Sequence, residues 1–169
     1  MTKTEVINYL KNSGRKVLIL QGLPGSGKST FINDLEEMVG NPLSEDLQVC
    51  SADHFFVQDD GSYVFNKRCA AHAHFTCRDN FHYFAAKRGA KRPLYLVVDN
   101  TNTCLKEMKF YLDEAEEYGW DVTIITFKTD VETSFKRNIH DVPLETIIEM
   151  NKRLEAFQVP KNVEYFVVE

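Results

Sequence analysis

The sequence has no apolar run approaching the roughly 20 residues that spanning a bilayer requires. Its opening, MTKTEVINYLKNSGRK, is too polar for a secretory signal. Both absences point to a soluble, cytoplasmic protein. There is no CxxC pair, and Cys50, Cys69, Cys77 and Cys104 sit inside apolar or helical stretches, so reduced, packed thiols are expected rather than disulfides. Positive charge is in deficit, with a formal net charge of −5, which excludes an extended, non-specific nucleic-acid coat but leaves room for a local groove. Internal repeats and low-complexity segments are absent. The 169 residues, 43% of them hydrophobic, suffice for one core and not for two, so a single domain over 1–169 is expected.

Two clusters need weighing before the rest. Cys69, His72, His74 and Cys77 resemble a metal-ligand set, but on a helix His72 and His74 point roughly 160° apart and cannot converge on one ion. Lys87, Arg88, Lys91 and Arg92 read as the solvated end of a helix rather than a binding patch.

The order of elements carries the fold. Val6 to Leu10 predict a short leading helix within residues 1–14, and Val17 to Leu20 a buried strand. Phe31, Ile32, Leu35, Met38 and Val39 recur at helical spacing from Lys28 on, with Gly40 and then Asn41-Pro42 as the stop. A strand over Leu47 to Ser51 precedes a loop or small hairpin turning on Asp60-Gly61. A helix from about Asn66 to Arg88 presents Ala70, Ala73, Cys77, Phe81 and Phe84 on one face. Then come a strand over Leu94 to Val98, a helix over Lys106 to Tyr118 capped by Thr103, and a strand over Val122 to Phe127. A short helix over Val131 to Arg137, another over Pro143 to Phe157 and a strand near Val163 to Val168 complete the chain. Strands that are apolar on both faces and alternate with helices predict an α/β fold, a parallel sheet of about five strands covered on each side. Ligands of such sheets bind at the carboxyl ends of the strands.

Directly after the first strand stands Gly22-Leu23-Pro24-Gly25-Ser26-Gly27-Lys28-Ser29-Thr30, a complete GxxxxGKS opening a helix. Glycines let backbone N–H groups turn inward around phosphate oxygens, Lys28 brings a charge to the β and γ phosphates, and the Ser29 hydroxyl suits magnesium. After the second strand, Asp53 is placed to accept the proton of an attacking hydroxyl, or simply to cap a turn. Its neighbours His54, Phe55 and Phe56 are candidates to stack on a base or sugar. Asp99 closes the third strand, where an acid can serve a magnesium shell, and Asn100 and Asn102 could donate to substrate. His74 lies at the edge of a helix's apolar face, as packing or as a substrate contact. Between residues 130 and 143, Arg137 is the candidate lid arginine, with Lys136 second.

Taken together, GLPGSGKST, SADHFF, GSYVF followed by AHAHFTC, VVDNTNT with EMKFY, and KRNIHDVP resemble the P-loop polynucleotide 5′-hydroxyl kinase family, including its kinase-like relatives in animals. The likeness covers roughly residues 17–160. It implies an adenylate-kinase-like fold, ATP or another NTP with Mg2+ as cofactors, and a nucleic-acid 5′ end as substrate. It also implies a separate phosphatase or ligase as partner. By the same resemblance Lys28 and Ser29 serve the phosphates and magnesium, Asp53 is the general base, Asp99, Asn100 and Asn102 line the site, and Arg137 acts from the lid. Two departures stand out. Phage members carry an arginine soon after the base, where this chain has His54, Phe55 and Phe56, and such lids often carry two arginines where this one has Arg137 with Lys136 and His140 nearby. A kinase for a small hydroxyl compound (nucleoside, sugar or drug) and a nucleotide-binding module without turnover are the alternative readings.

Overall fold

Strand β1 (Lys16–Gly22) runs through the centre of the molecule, buried from Val17 onward. It pairs in parallel with β3 (Tyr95–Asp99) on one side and β4 (Asp121–Phe127) on the other. Outside these lie β2 (Leu47–Cys50), against β3, and β5 (Glu164–Val168), against β4. The sheet is therefore five-stranded, in the order β2-β3-β1-β4-β5, and every pairing is parallel. The computed structural model describes residues 1–40 and 45–169; the expected stop at Asn41-Pro42 lies outside the described residues.

The unbroken apolar runs follow from burial on both faces. Val17, Ile19, Val98 and Ile124 face one layer, filled by Ala73, Cys77 and Phe81 of α3 (Ala70–Ala85) and by Met108, Tyr111 and Ala115 of α4 (Leu105–Glu117). Leu18, Leu20, Val97 and Ile125 face the other, filled by Val6 and Leu10 of α1 (Lys3–Lys11) and by Phe31, Ile32 and Leu35 of α2 (Lys28–Val39). Phe31 is fully buried with its ring 5.3 Å from Phe127, so Phe31→Ala should cost about 3–5 kcal/mol. The chain closes with α5 (Val131–Arg137) and α6 (Leu144–Glu155).

Local chemistry sets the helix ends, at the expected places for α1 and α2 and elsewhere for α3 and α4. α1 starts at a reciprocal cap: Thr2 Oγ1 accepts from Glu5 N–H at 3.2 Å, and the Glu5 carboxylate accepts from Thr2 N–H at 2.8 Å. α2 stops at Gly40, whose φ of 74° leaves the helix while its N–H bonds to Glu36. α3 ends at Ala85, three residues short of the expected Arg88. Arg88 and Arg92 instead donate to the Tyr118 carbonyl at the end of α4, each at 3.3 Å, and the Arg92 guanidinium lies 3.9 Å over the Trp120 ring. The cap of α4 is Cys104, not Thr103, and no side chain caps it directly. The Glu107 carboxylate accepts from Thr103 N–H at 2.6 Å, which satisfies the preceding residue. Among the described residues no helix is long and apolar enough to cross a membrane.

Candidate active site

Parallel order puts the carboxyl ends of β1, β2 and β3 along one edge, with Leu20 in register with Asp99 and Cys50 with Val98. From that edge the chain leaves β1 through the glycine-rich loop and enters α2 at Lys28. Gly27 caps the helix with φ of 101°, and Gly25 has φ of 70°, conformations open to glycine and strained for other residues. Lys28 Nζ donates to the carbonyls of Gly22 and Leu23, each at 3.0 Å. Burial lowers the Lys28 ammonium from its ordinary range, opposed first by the charge of Asp99 and then by that of Asp53. Asp99 mirrors this: burial raises it, Lys28 pulls it down and Asp53 pushes it further up. Inside the loop the buried Ser26 Oγ has no protein partner. Ser29 and Thr30 are exposed on the first turn of α2.

Asp53 opens a 3-10 turn (Asp53–Phe56) immediately beyond β2, with its side chain exposed. Two residues distant in sequence converge on it. The Tyr63 hydroxyl donates to Oδ1 at 3.2 Å, and His140 Nε2 stands 3.9 Å from Oδ2. The Tyr63 and His140 rings are themselves 4.3 Å apart between centroids. Burial, with Asp53's charge and hydrogen bond, pushes the Tyr63 hydroxyl up to about 12, so it remains a donor at neutral pH. Tyr63 reaches this place because residues 57–63 fold back as the expected hairpin, with a single antiparallel bridge from Val57 to Tyr63 around Gly61. His140 arrives from a turn pinned by Asn138, whose amide donates to Val142 O at 2.8 Å and whose carbonyl oxygen accepts from His140 N–H at 3.2 Å.

α5 is fastened to the phosphate loop. The fully buried Ser134 donates to Pro24 O at 2.7 Å. A Cβ built at Gly25 would stand 2.7 Å from Arg137 Cβ and 3.1 Å from its carbonyl carbon and oxygen, so the backbone at Arg137 sits directly on the loop. The Arg137 side chain is exposed there, whereas Lys136 is paired with Glu132 at 2.6 Å.

Several residues expected at the ligand surface serve the scaffold. Asn102 is 2% exposed; its side-chain amide donates to Leu20 O at 2.7 Å and its backbone carbonyl accepts from Gln21 Nε2 at 2.9 Å. A φ of 47°, which Asn tolerates, lets it reach back to β1. Asn100 is likewise spent internally: its oxygen accepts from Ala52 N–H at 3.0 Å, and its NH2 reaches Cys77 Sγ at 3.6 Å and Tyr111 OH at 3.4 Å. These are corrections to the expectation that both amides serve substrate. Phe56 is corrected too, being 4% exposed and part of the core beneath the turn. His54 and Phe55 are exposed beside Asp53, and His74 is exposed on α3 rather than edging the core. Sequence reasoning missed the roles of Tyr63, His140, Gln21 and Ser134. The GSYVF and KRNIHDVP segments were legible, but no local periodicity ties them to Asp53.

Residues 17–156 match the model of a family, AAA_33, described as an AAA domain. The chain belongs to that family. Human NEDD4-binding protein 2 is 29% identical over 149 residues, a span covering 85% of this chain and 8% of that protein. Among solved structures, this chain resembles one in the Pnkp1/Rnl/Hen1 RNA repair complex, with TM-score 0.63 and 20% identity, over 86% of this chain and 46% of the matched chain. The APS kinase CysC of Mycobacterium tuberculosis, in complex with AMPPNP and APS, gives TM-score 0.56 and 17% identity over 92% of this chain and 88% of that one. The chain thus spans less than half of the first-named relatives. The fold is that of the P-loop kinases, a five-stranded parallel sheet with helices on both faces.

Proposed function

We propose that the chain is an ATP- and magnesium-dependent kinase acting on the 5′-hydroxyl end of RNA or DNA. The observation that carries this reading is that the ends of β2 and β3 bring two carboxylates in different surroundings to the edge where the P-loop opens, Asp99 partly buried and Asp53 exposed. Two such acids suit two roles, one facing the donor and one facing the acceptor. The acceptor oxygen attacks the γ-phosphorus, its proton passes to Asp53, and the bond from the γ-phosphorus to the bridging oxygen breaks, so that ADP leaves. Tyr63 holds the Asp53 carboxylate in place through Oδ1. Lys28 stabilises the β and γ phosphates, and Arg137, whose backbone abuts Gly25 of the loop, supplies the arginine that folds over the transferring group.

The residues present fit the implied cofactors. Ser29 and Asp99 are hard oxygen donors of the kind magnesium prefers, and the unpartnered Ser26 hydroxyl suits a phosphate oxygen. Magnesium bound there would neutralise charge on the phosphate oxygens. The likeness to an RNA repair complex supports an end-repair setting, with a phosphatase or ligase as partner.

The test is transfer of label from γ-labelled ATP to 5′-hydroxyl oligonucleotides in magnesium, with Lys28→Ala as the blank. Label on the oligonucleotide end is expected. ATP binding without such label would reject the assignment, and label appearing preferentially on a small hydroxyl competitor would replace the acceptor with that compound's class.

A further inference from the structure

Two residues beyond Asp53 a line of rings begins that the phosphoryl chemistry does not use. Phe55 stands 5.1 Å from His72, and His72 stands 6.3 Å from Phe75 with the two planes only 21° apart. His72 and Phe75, three residues apart on α3, share its outer face. Phe55 is 37% exposed and Phe75 65% exposed, although phenylalanine belongs to the residues most often buried. The line is held from below: buried Phe56 packs edge-on against Phe55 at 5.4 Å and against exposed Phe65 at 5.0 Å. Contiguous exposed apolar surface of this kind marks interaction sites.

We propose that Phe55, His72 and Phe75 form a stacking track for single-stranded nucleic acid, holding the two or three nucleotides that follow the accepting end. This rests on the kinase reading for the direction of the strand, because the track starts where Asp53 would meet the 5′-hydroxyl. Flat rings in series suit bases, each of which offers a π-face, and make binding tolerant of sequence. The track is continuous with the acceptor side of the site through the turn that carries both Asp53 and Phe55. Of the nearby cations, Arg68 is exposed just before α3 while the Arg78 guanidinium lies 5.5 Å over the Phe110 ring of α4, so binding rests on the rings rather than on charge. Bases paired within a duplex cannot reach the rings, so single-stranded or frayed ends are preferred.

The test compares 5′-hydroxyl oligonucleotides of two and eight nucleotides with wild type, Phe75→Ala and His72→Ala, alongside fluorescence anisotropy of a labelled eight-mer without ATP. Phe75→Ala should raise KM for the eight-mer by about tenfold or more, the scale of one lost base stack. The effect should be confined to the longer substrate, with the melting temperature unchanged. Equal effects on both lengths, or no effect on the eight-mer, overturn the track and leave the kinase standing. If no phosphate moves but Phe75→Ala still weakens anisotropy binding about tenfold, the kinase reading falls and the track stands. Absence of both transfer and binding overturns the track, as does a dimer whose formation Phe75→Ala abolishes.

Discussion

Replacing Gly25 by alanine separates two reasons for a glycine in the phosphate loop. Gly25 and Gly27 both have positive φ, 70° and 101°, so alanine at either position is strained by about 1–3 kcal/mol. Their surroundings differ. A Cβ at Gly27 meets nothing within 4 Å, whereas at Gly25 it meets Arg137 Cβ at 2.7 Å and the Arg137 carbonyl at 3.1 Å. These are not the far end of a flexible side chain, so the last turn of α5 must shift, an overpacking cost of about 1–3 kcal/mol beyond the strain. For a domain of this size 1 kcal/mol corresponds to about 2–4 °C in melting temperature. Gly25→Ala should therefore melt about 2–12 °C below Gly27→Ala, measured by circular dichroism or scanning calorimetry. Equal melting temperatures for the two variants would refute the direct seating of α5 on the loop.

Ser134→Ala removes a buried donor and leaves Pro24 O unpaired, so a loss of about 1–3 kcal/mol is expected in denaturant unfolding, with weaker ATP binding as the loop loosens. Asp53→Ala should abolish phosphate transfer while ATP binding by calorimetry stays near wild type, because the carboxylate is exposed; undiminished transfer would end its assignment as base. Alkaline pH should destabilise the fold. Burial holds the Cys50 thiol up to about 12, and the Tyr63 hydroxyl is likewise raised to about 12, whereas the unfolded chain releases such protons near about 8.5 and about 10. The unfolded state then binds fewer protons, so stability is full below about 8.5 and falls as pH rises toward 12. Cys77 and Tyr111, also raised, add to the fall, and Lys28, lowered by burial, opposes it. Melting temperature between pH 8 and 11 should decline, less steeply in Cys50→Ala.

What could be read from the sequence was what local pattern decides. The buried runs of β1, β3 and β4 announce a parallel sheet because burial on both faces leaves no alternation. The phosphate loop is equally plain, since its chemistry is contained in consecutive residues. The surroundings of Asp53 were less legible. Asp53 could be placed at a strand end, but Tyr63 and His140 reach it only through a hairpin and a pinned turn, at separations no periodicity spans. Phe55 and Phe56 are identical in type and adjacent, yet one is 37% exposed and the other 4%, a division set by the 3-10 turn alone. Asn100 and Asn102 look polar and available in sequence, but the crowded strand ends consume both amides. The helix after β2 was expected to run to Arg88; the carbonyls ending α4 and the Trp120 ring claim Arg88 and Arg92 instead.

The two amides of the DNTN segment have a consequence for how such motifs diagnose activity. Asn102 fastens the loop to β1 and Asn100 fastens it to the exit of β2, so the segment stitches three strand ends into one edge. A descendant that had abandoned catalysis would still need those stitches to fold. Its DNTN would persist as a mark of architecture, indistinguishable in sequence from that of a working enzyme. Asp53 is under no such obligation: its exposed carboxylate could become an asparagine or a serine with little harm to the core. On the proposed kinase reading, the residue at position 53 is accordingly where retirement from chemistry would first be written among relatives of this chain.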